Sequence, residues 1–173
     1  MTTTLAQINA MPLAAFVEAF GGVYEHSPWV AQKAALSRPF SDLEAMCQAF
    51  SAAMHGADAA AQYALVRAHP ELGHRLGVDA GLTAASAQEQ GGAGLDRLTP
   101  EEYARFRTLN DAYTQKFNMP FVICVRRVGG QVKEAIAQAM EQRLASTPQA
   151  ELAEALRQID AIAALRLHDK VVA

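Results

Sequence analysis

Helix starts punctuate this chain. Ser27-Pro28, Ser41 with Glu44, Asp58, Thr99-Pro100 with Glu102, and Thr147-Pro148 each put a capping oxygen or a proline where a helix can begin. Matching stops follow at Gly21-Gly22, Gly56 and Pro70. Between them the apolar residues recur at helical spacing, as in Tyr103, Phe106, Leu109 and Tyr113, or Leu152, Leu156, Ile159 and Ile162. Alanine, the strongest helix former, fills 36 of the 173 positions in periodic stretches. The pattern predicts helices over 12–20, 29–36, 41–55 and 58–68. Others are predicted from 99, from 130 to about 144, and from 147, with Ser27, Ser41 and Asp58 as caps. The fold class expected is all-α: a single-domain bundle of about eight helices over 1–173, with no linker and no internal repeat.

Several function classes fall away. The net charge of −3 and pI near 5.9 do not suit a dedicated nucleic-acid binder. No apolar run approaches the ~20 residues of a membrane span. Residues 1–10 lack the basic start and apolar core of a signal peptide, and the final Lys-Val-Val-Ala is no peroxisomal signal. Cys47 and Cys124 lie far apart in apolar surroundings, so a reducing, cytoplasmic setting is expected. No metal site is expected. His69 and His74 straddle a proline, and there is no zinc motif, phosphate loop, dinucleotide fingerprint or nucleophile elbow.

Two stretches break the helical pattern. Residues 69–98 are rich in Gly, Ser, Thr and Gln. Residues 117–125 are apolar and β-branched, and read as a short buried extended segment. Both are candidates for function. His69, fixed by Pro70, reads either as a general acid or base or as a cap on the preceding helix. Ser86, Glu89 and Gln90 stand at i, i+3 and i+4, so they share a helical face that can meet a ligand; Ser-x-x-Glu is equally a capping box. Arg166, between Leu165 and Leu167, reads as the partner of a buried acid, as a snorkelling side chain, or as a carboxylate clamp. Arg143 and Arg157 read as solvated charges.

The ordered set is more specific than any member. Tyr-Glu-His-Ser-Pro-Trp-Val-Ala at 24–31 precedes Arg-Ala-His-Pro-Glu-Leu at 67–72. Leu-Thr-x-x-Ser-x-x-Glu-Gln at 82–90 and Ala-Gly-Leu-Asp at 93–96 follow. Asn110-x-x-Tyr113, the run 117–125 and Ile162 to Leu167 complete it. Over essentially its whole length the chain resembles the 2-oxo-4-hydroxy-4-carboxy-5-ureidoimidazoline (OHCU) decarboxylases of the uric-acid pathway. The resemblance implies an all-helical, cofactor-free decarboxylase, usually a homodimer, that yields (S)-allantoin. It implies His69 as the catalytic histidine and Glu89 as its partner carboxylate. Ser86, Gln90 and Arg166 match substrate-binding positions, and Pro70 the proline beside the histidine. Phe121, Val122 and Ile123 match a segment that meets substrate partly through backbone amides. Where relatives carry Phe-Gly-x-Pro-Phe, this chain has Asn118, a residue that tolerates a left-handed backbone. A metabolite-binding helical module without activity, and a hydrolase of cyclic amides or ureido groups, are the competing readings.

Overall fold

Helix dominates the computed structural model, which describes residues 3–73 and 82–172. Among the described residues there are nine α-helices: α1 Leu5–Ala10, α2 Leu13–Phe20, α3 Pro28–Ala34, α4 Leu43–His55, α5 Ala59–Arg67, α6 Ala84–Gly92, α7 Pro100–Phe117, α8 Val132–Arg143 and α9 Pro148–Lys170. Short 3₁₀ turns occupy Ala35–Ser37 and Val125–Arg127. One two-residue parallel pair, β1 Thr3–Thr4 with β2 Val171–Val172, is the only sheet among the described residues. No helix among them is long and apolar enough to cross a membrane. His74 and the rest of 74–81 lie outside the described residues.

The chain divides into two compact units, 1–68 with 159–173, and 69–158. In the first, α3 packs on α2 and α4. Its core centres on Phe16, whose ring lies 5.0 Å from Phe20 and 6.0 Å from Phe50. Tyr24 stacks on Phe50 at 6.1 Å, and its hydroxyl donates to Asp160. In the second unit α7 packs on α8, and α6 on the turn Val125–Arg127. Phe106, Tyr113, Phe121, Ile136 and Met140 are buried there.

Most punctuation reads true. Asp58 caps α5 through the Ala61 N–H, Thr99 and Glu102 form a complete capping box on α7, and α4 stops at Gly56. Four local expectations need correction. The Ser27 hydroxyl makes no cap; it donates to the Glu25 carbonyl at 2.9 Å within a turn whose His26 has φ of 48°. The α4 cap is Asp42, not Ser41, because the aspartate carboxylate reaches the Ala45 N–H at 2.7 Å. At α6 the cap is Thr83, which accepts from the Ser86 N–H, so Ser86 and Glu89 are not a capping box. Residues 84–92 of the expected loop are therefore regular helix. The N-terminal α1 has no predicted counterpart; a Thr4–Gln7 capping box starts it.

Residues 119–124 are buried for the most part and neither helical nor strand. Their entry is Asn118, at φ 53° and ψ 34°, which ends α7 in the left-handed conformation expected of it.

Candidate active site

Immediately after His69 the backbone is strapped down by buried amides. Pro70 restricts His69, and the imidazole-bearing residue is only 7% exposed. The Gln90 side chain, on α6, donates to the Glu71 carbonyl and accepts from the Gly73 N–H, each at 3.2 Å. Asn110, on α7, donates to the Leu72 carbonyl at 2.9 Å. The Glu71 carboxylate takes Arg107 at 2.8 Å and the Thr114 hydroxyl at 3.3 Å, both from α7. Gly73 is required here: its φ is +77°, and a Cβ would sit 3.0 Å from Leu98 and 3.3 Å from Phe106. Two helices thus hold the three residues that follow the His-Pro pair.

The shared face read from the sequence exists. Ser86 and Gln90 are buried and Glu89 half-buried on α6. Gln90 differs from expectation in one respect. Two of the four hydrogen-bonding slots of its amide already serve residues 71–73, so it shapes the backbone that follows His69 and Pro70. α6 also packs on the Val125–Arg127 turn that follows the 119–124 segment. Burial pushes the Cys124 thiol above its ordinary range, Arg127 opposes the rise, and the Glu89 carboxylate adds to it. Glu89 therefore lies within electrostatic reach of that segment.

Phe121, Val122 and Ile123 present a backbone edge. The Val122 carbonyl accepts from Arg143 at 2.7 Å, and the Cys124 N–H donates to the Gln158 side chain at 3.0 Å. Among the described residues no acceptor takes the N–H of Val122 or Ile123. Backbone donors in a buried stretch normally find a partner, so these two are suited to a ligand's carbonyl oxygens.

Arg143 is not the solvated charge expected from its polar neighbours. It forms a buried ion pair with Glu151 and lies over the Phe121 ring at 4.3 Å. Arg157 matches expectation: 70% exposed, it pairs with Glu154 on the surface. Arg166 belongs to the first unit. It is 6% exposed, pairs with the fully buried Glu25 at 2.9 Å, and donates to the Val23 carbonyl at 3.2 Å. Of the three readings of Arg166, a buried acid partner is present.

Sequence reasoning passed over Asn110, Arg107 and Arg143 as functional supports. Asn110 and Tyr113 are three apart and both buried on α7, a spacing visible in the sequence. Among the described residues no three His, Cys, Asp or Glu side chains gather closely enough to hold a metal ion. A groove of about 450 Å³ lies elsewhere in the second unit, beside Glu102, Arg105, Lys133 and Glu134. Arg105 pairs with Glu134 and Lys133 with Glu102, so its charges are already neutralised, and it holds none of the candidate residues.

Comparison with known proteins gives a consistent result. The sequence pattern of the family described as OHCU decarboxylase matches residues 9–168. A 2-oxo-4-hydroxy-4-carboxy-5-ureidoimidazoline decarboxylase of Haloferax volcanii is 41% identical over 167 residues, 96% of this chain and 95% of that protein. One from Halalkalicoccus jeotgali is 41% identical over 98% of this chain and 92% of its own. The crystal structure of an (S)-allantoin synthase superposes with a TM-score of 0.77 at 26% identity, covering 98% of this chain and 54% of that one.

Proposed function

Because the chain belongs to the OHCU decarboxylase family, we propose that it converts OHCU to (S)-allantoin and CO₂ in urate degradation, with His69 as the proton-transfer residue. The substrate's own structure explains how side chains alone can serve. One ring carbon bears both a carboxylate and a hydroxyl, and its neighbour is an imine carbon. When the bond to the carboxylate breaks, its electron pair forms a double bond between these two carbons. The imine pair moves onto nitrogen, which takes a proton. The resulting enol then loses its hydroxyl proton to become a carbonyl, and the adjacent carbon gains a proton on one face. CO₂ leaves and one proton is taken up overall. The substrate carries its own electron sink, so the protein's work is to bind, orient and move protons.

In this reading His69 exchanges a proton with the substrate hydroxyl or the developing product. Glu89 orients a ring or ureido N–H, or tunes the histidine. Ser86 and Gln90 contact the ring system beside Pro70 and Phe121, and the N–H groups of Val122 and Ile123 receive ring carbonyl oxygens. Arg166 is carried over from the family's substrate-binding positions. A tight ion pair with the departing carboxylate would stabilise the ground state and oppose the reaction, so Arg166 is assigned to another part of the substrate. The observation that most supports the site is Gln90, whose amide, on α6 beside Glu89, binds the backbone just after His69 and Pro70.

The proposal extends to a homodimer, as the sequence resemblance implies, with the whole chain as one catalytic domain. Two free thiols, Cys47 and Cys124, fit a cytoplasmic setting. Light scattering should give twice the 18.6 kDa chain mass. Freshly generated OHCU followed by circular dichroism tests the activity: the reading expects rapid growth of the (S)-allantoin signal with CO₂ release. Ring opening without CO₂, or only the uncatalysed background, would overturn it.

A further inference from the structure

Arg143 closes α8, yet its side chain is only 13% exposed and that of Glu151 2%. Its guanidinium works on two sides. Nε donates to the Glu151 carboxylate at 2.5 Å, and Nη1 donates to the Val122 carbonyl at 2.7 Å. The Tyr113 hydroxyl donates to the same Glu151 oxygen, while the Tyr113 ring meets Phe121 edge-on at 5.4 Å and 89°. Phe121 thus has the guanidinium at 4.3 Å and the tyrosine ring at its edge. Residues 121 and 122 are gripped by side chain and by backbone through one ionic cluster.

The Val122 carbonyl and the Ile123 N–H belong to one peptide group. That peptide is trans, so the two bonds lie in a common plane and point in opposite directions. Fixing the oxygen on Arg143 therefore fixes the direction of the Ile123 N–H, away from the guanidinium. A cationic donor on the carbonyl also polarises the peptide and strengthens that N–H as a donor. We infer that Arg143 is a positioning residue for the decarboxylation, which aims and polarises the Ile123 N–H by holding the Val122 carbonyl. The inference rests on the reading of 121–123 as a substrate contact. Negative charge builds on the imine nitrogen and the ring carbonyl conjugated with it as CO₂ leaves. A fixed donor at that oxygen gains strength in the transition state, so its loss falls on kcat more than on KM.

Arg143→Lys in the full chain tests this. Lysine keeps the charge beside Glu151 but lacks the planar fork that reaches Val122 at the same time. Complete loss of one oxyanion-type donor costs about 10²–10³ in kcat, so a misaimed one should cost roughly 10–100-fold, with KM little changed. Arg143→Met with Glu151→Gln removes both charges together and leaves Tyr113 an acceptor, so it keeps the test open if the lysine variant folds poorly. Met140→Ala, a cavity in the same helix, is the stability control: it should lower Tm and leave kcat per folded molecule unchanged. The inference is overturned if both Arg143 variants keep the wild-type kcat, if only KM rises, or if Met140→Ala loses as much kcat. A wild type that leaves OHCU to its background decay overturns the decarboxylase reading itself; an active wild type beside unchanged variants removes only the role of Arg143.

Discussion

Each unit of the molecule buries one arginine–glutamate pair, and each arginine also holds a backbone carbonyl. In the first unit Arg166 joins Glu25 and the Val23 carbonyl; in the second Arg143 joins Glu151 and the Val122 carbonyl. The sequence flags only Arg166, because Leu165 and Leu167 flank it. Arg143 stands in Glu-Gln-Arg at the last turn of a helix, where a cation complementing the helix dipole is the ordinary expectation. The lesson is that local polarity does not report burial at a helix end. What buries Arg143 is Phe121, 22 positions away in sequence, and Glu151 on the next helix.

Removing one carboxylate is the harshest way to probe the likeness. Glu25→Ala and Glu151→Ala each strand a buried guanidinium, and each should cost about 3–5 kcal/mol in urea unfolding. A cost below about 1 kcal/mol at either position would mean that pair is solvated after all. The tyrosines separate the two regions next. Tyr113 shares the 2%-exposed Glu151 carboxylate with Arg143, whereas the Asp160 carboxylate that receives Tyr24 is 23% exposed and also takes Ser51 at 3.0 Å and His55 at 2.7 Å. Tyr113→Phe should therefore lose about 1.5–3 kcal/mol, in the range for hydrogen bonds to charged groups. Tyr24→Phe should lose less, since the more exposed Asp160 keeps two partners and can also turn to water. Equal losses would erase this distinction.

Alkaline pH offers a gentler probe. Burial first, then the neighbouring carboxylate, raises both Tyr24 and Tyr113 above the ordinary value of 10.0. The fold favours the neutral phenols, so their contribution is complete below pH ~10 and is lost as pH climbs above it. Absorbance at 295 nm should show at least two of the four tyrosines un-ionised at pH ~11 until the protein unfolds. Full ionisation with native helicity retained would contradict their burial. The smallest effect belongs to Arg157→Ala, which should stay within about 0.5 kcal/mol of wild type, as an exposed pair does.

Helix boundaries were legible where a cap and a stop both lay within a few residues, as at Asp58 and Thr99. They slipped where two adjacent residues competed, as at Ser41 and Asp42, since the choice depends on which oxygen reaches the third N–H. Asn118 was legible because its conformation is a local property. The Gln90 amide was not: its bonds to residues 71–73 span 17 to 19 positions, and no short-range pattern encodes them. Arg143 was hidden for the same reason.

The direct test is (S)-allantoin formation by wild type and His69→Ala, measured side by side on fresh OHCU by circular dichroism at 25 °C. A positioned general acid or base contributes roughly 10²–10⁴-fold, so the variant should fall by about that factor while its far-ultraviolet spectrum keeps the wild-type helicity. Equal rates of (S)-allantoin formation in two equally folded proteins would contradict the site.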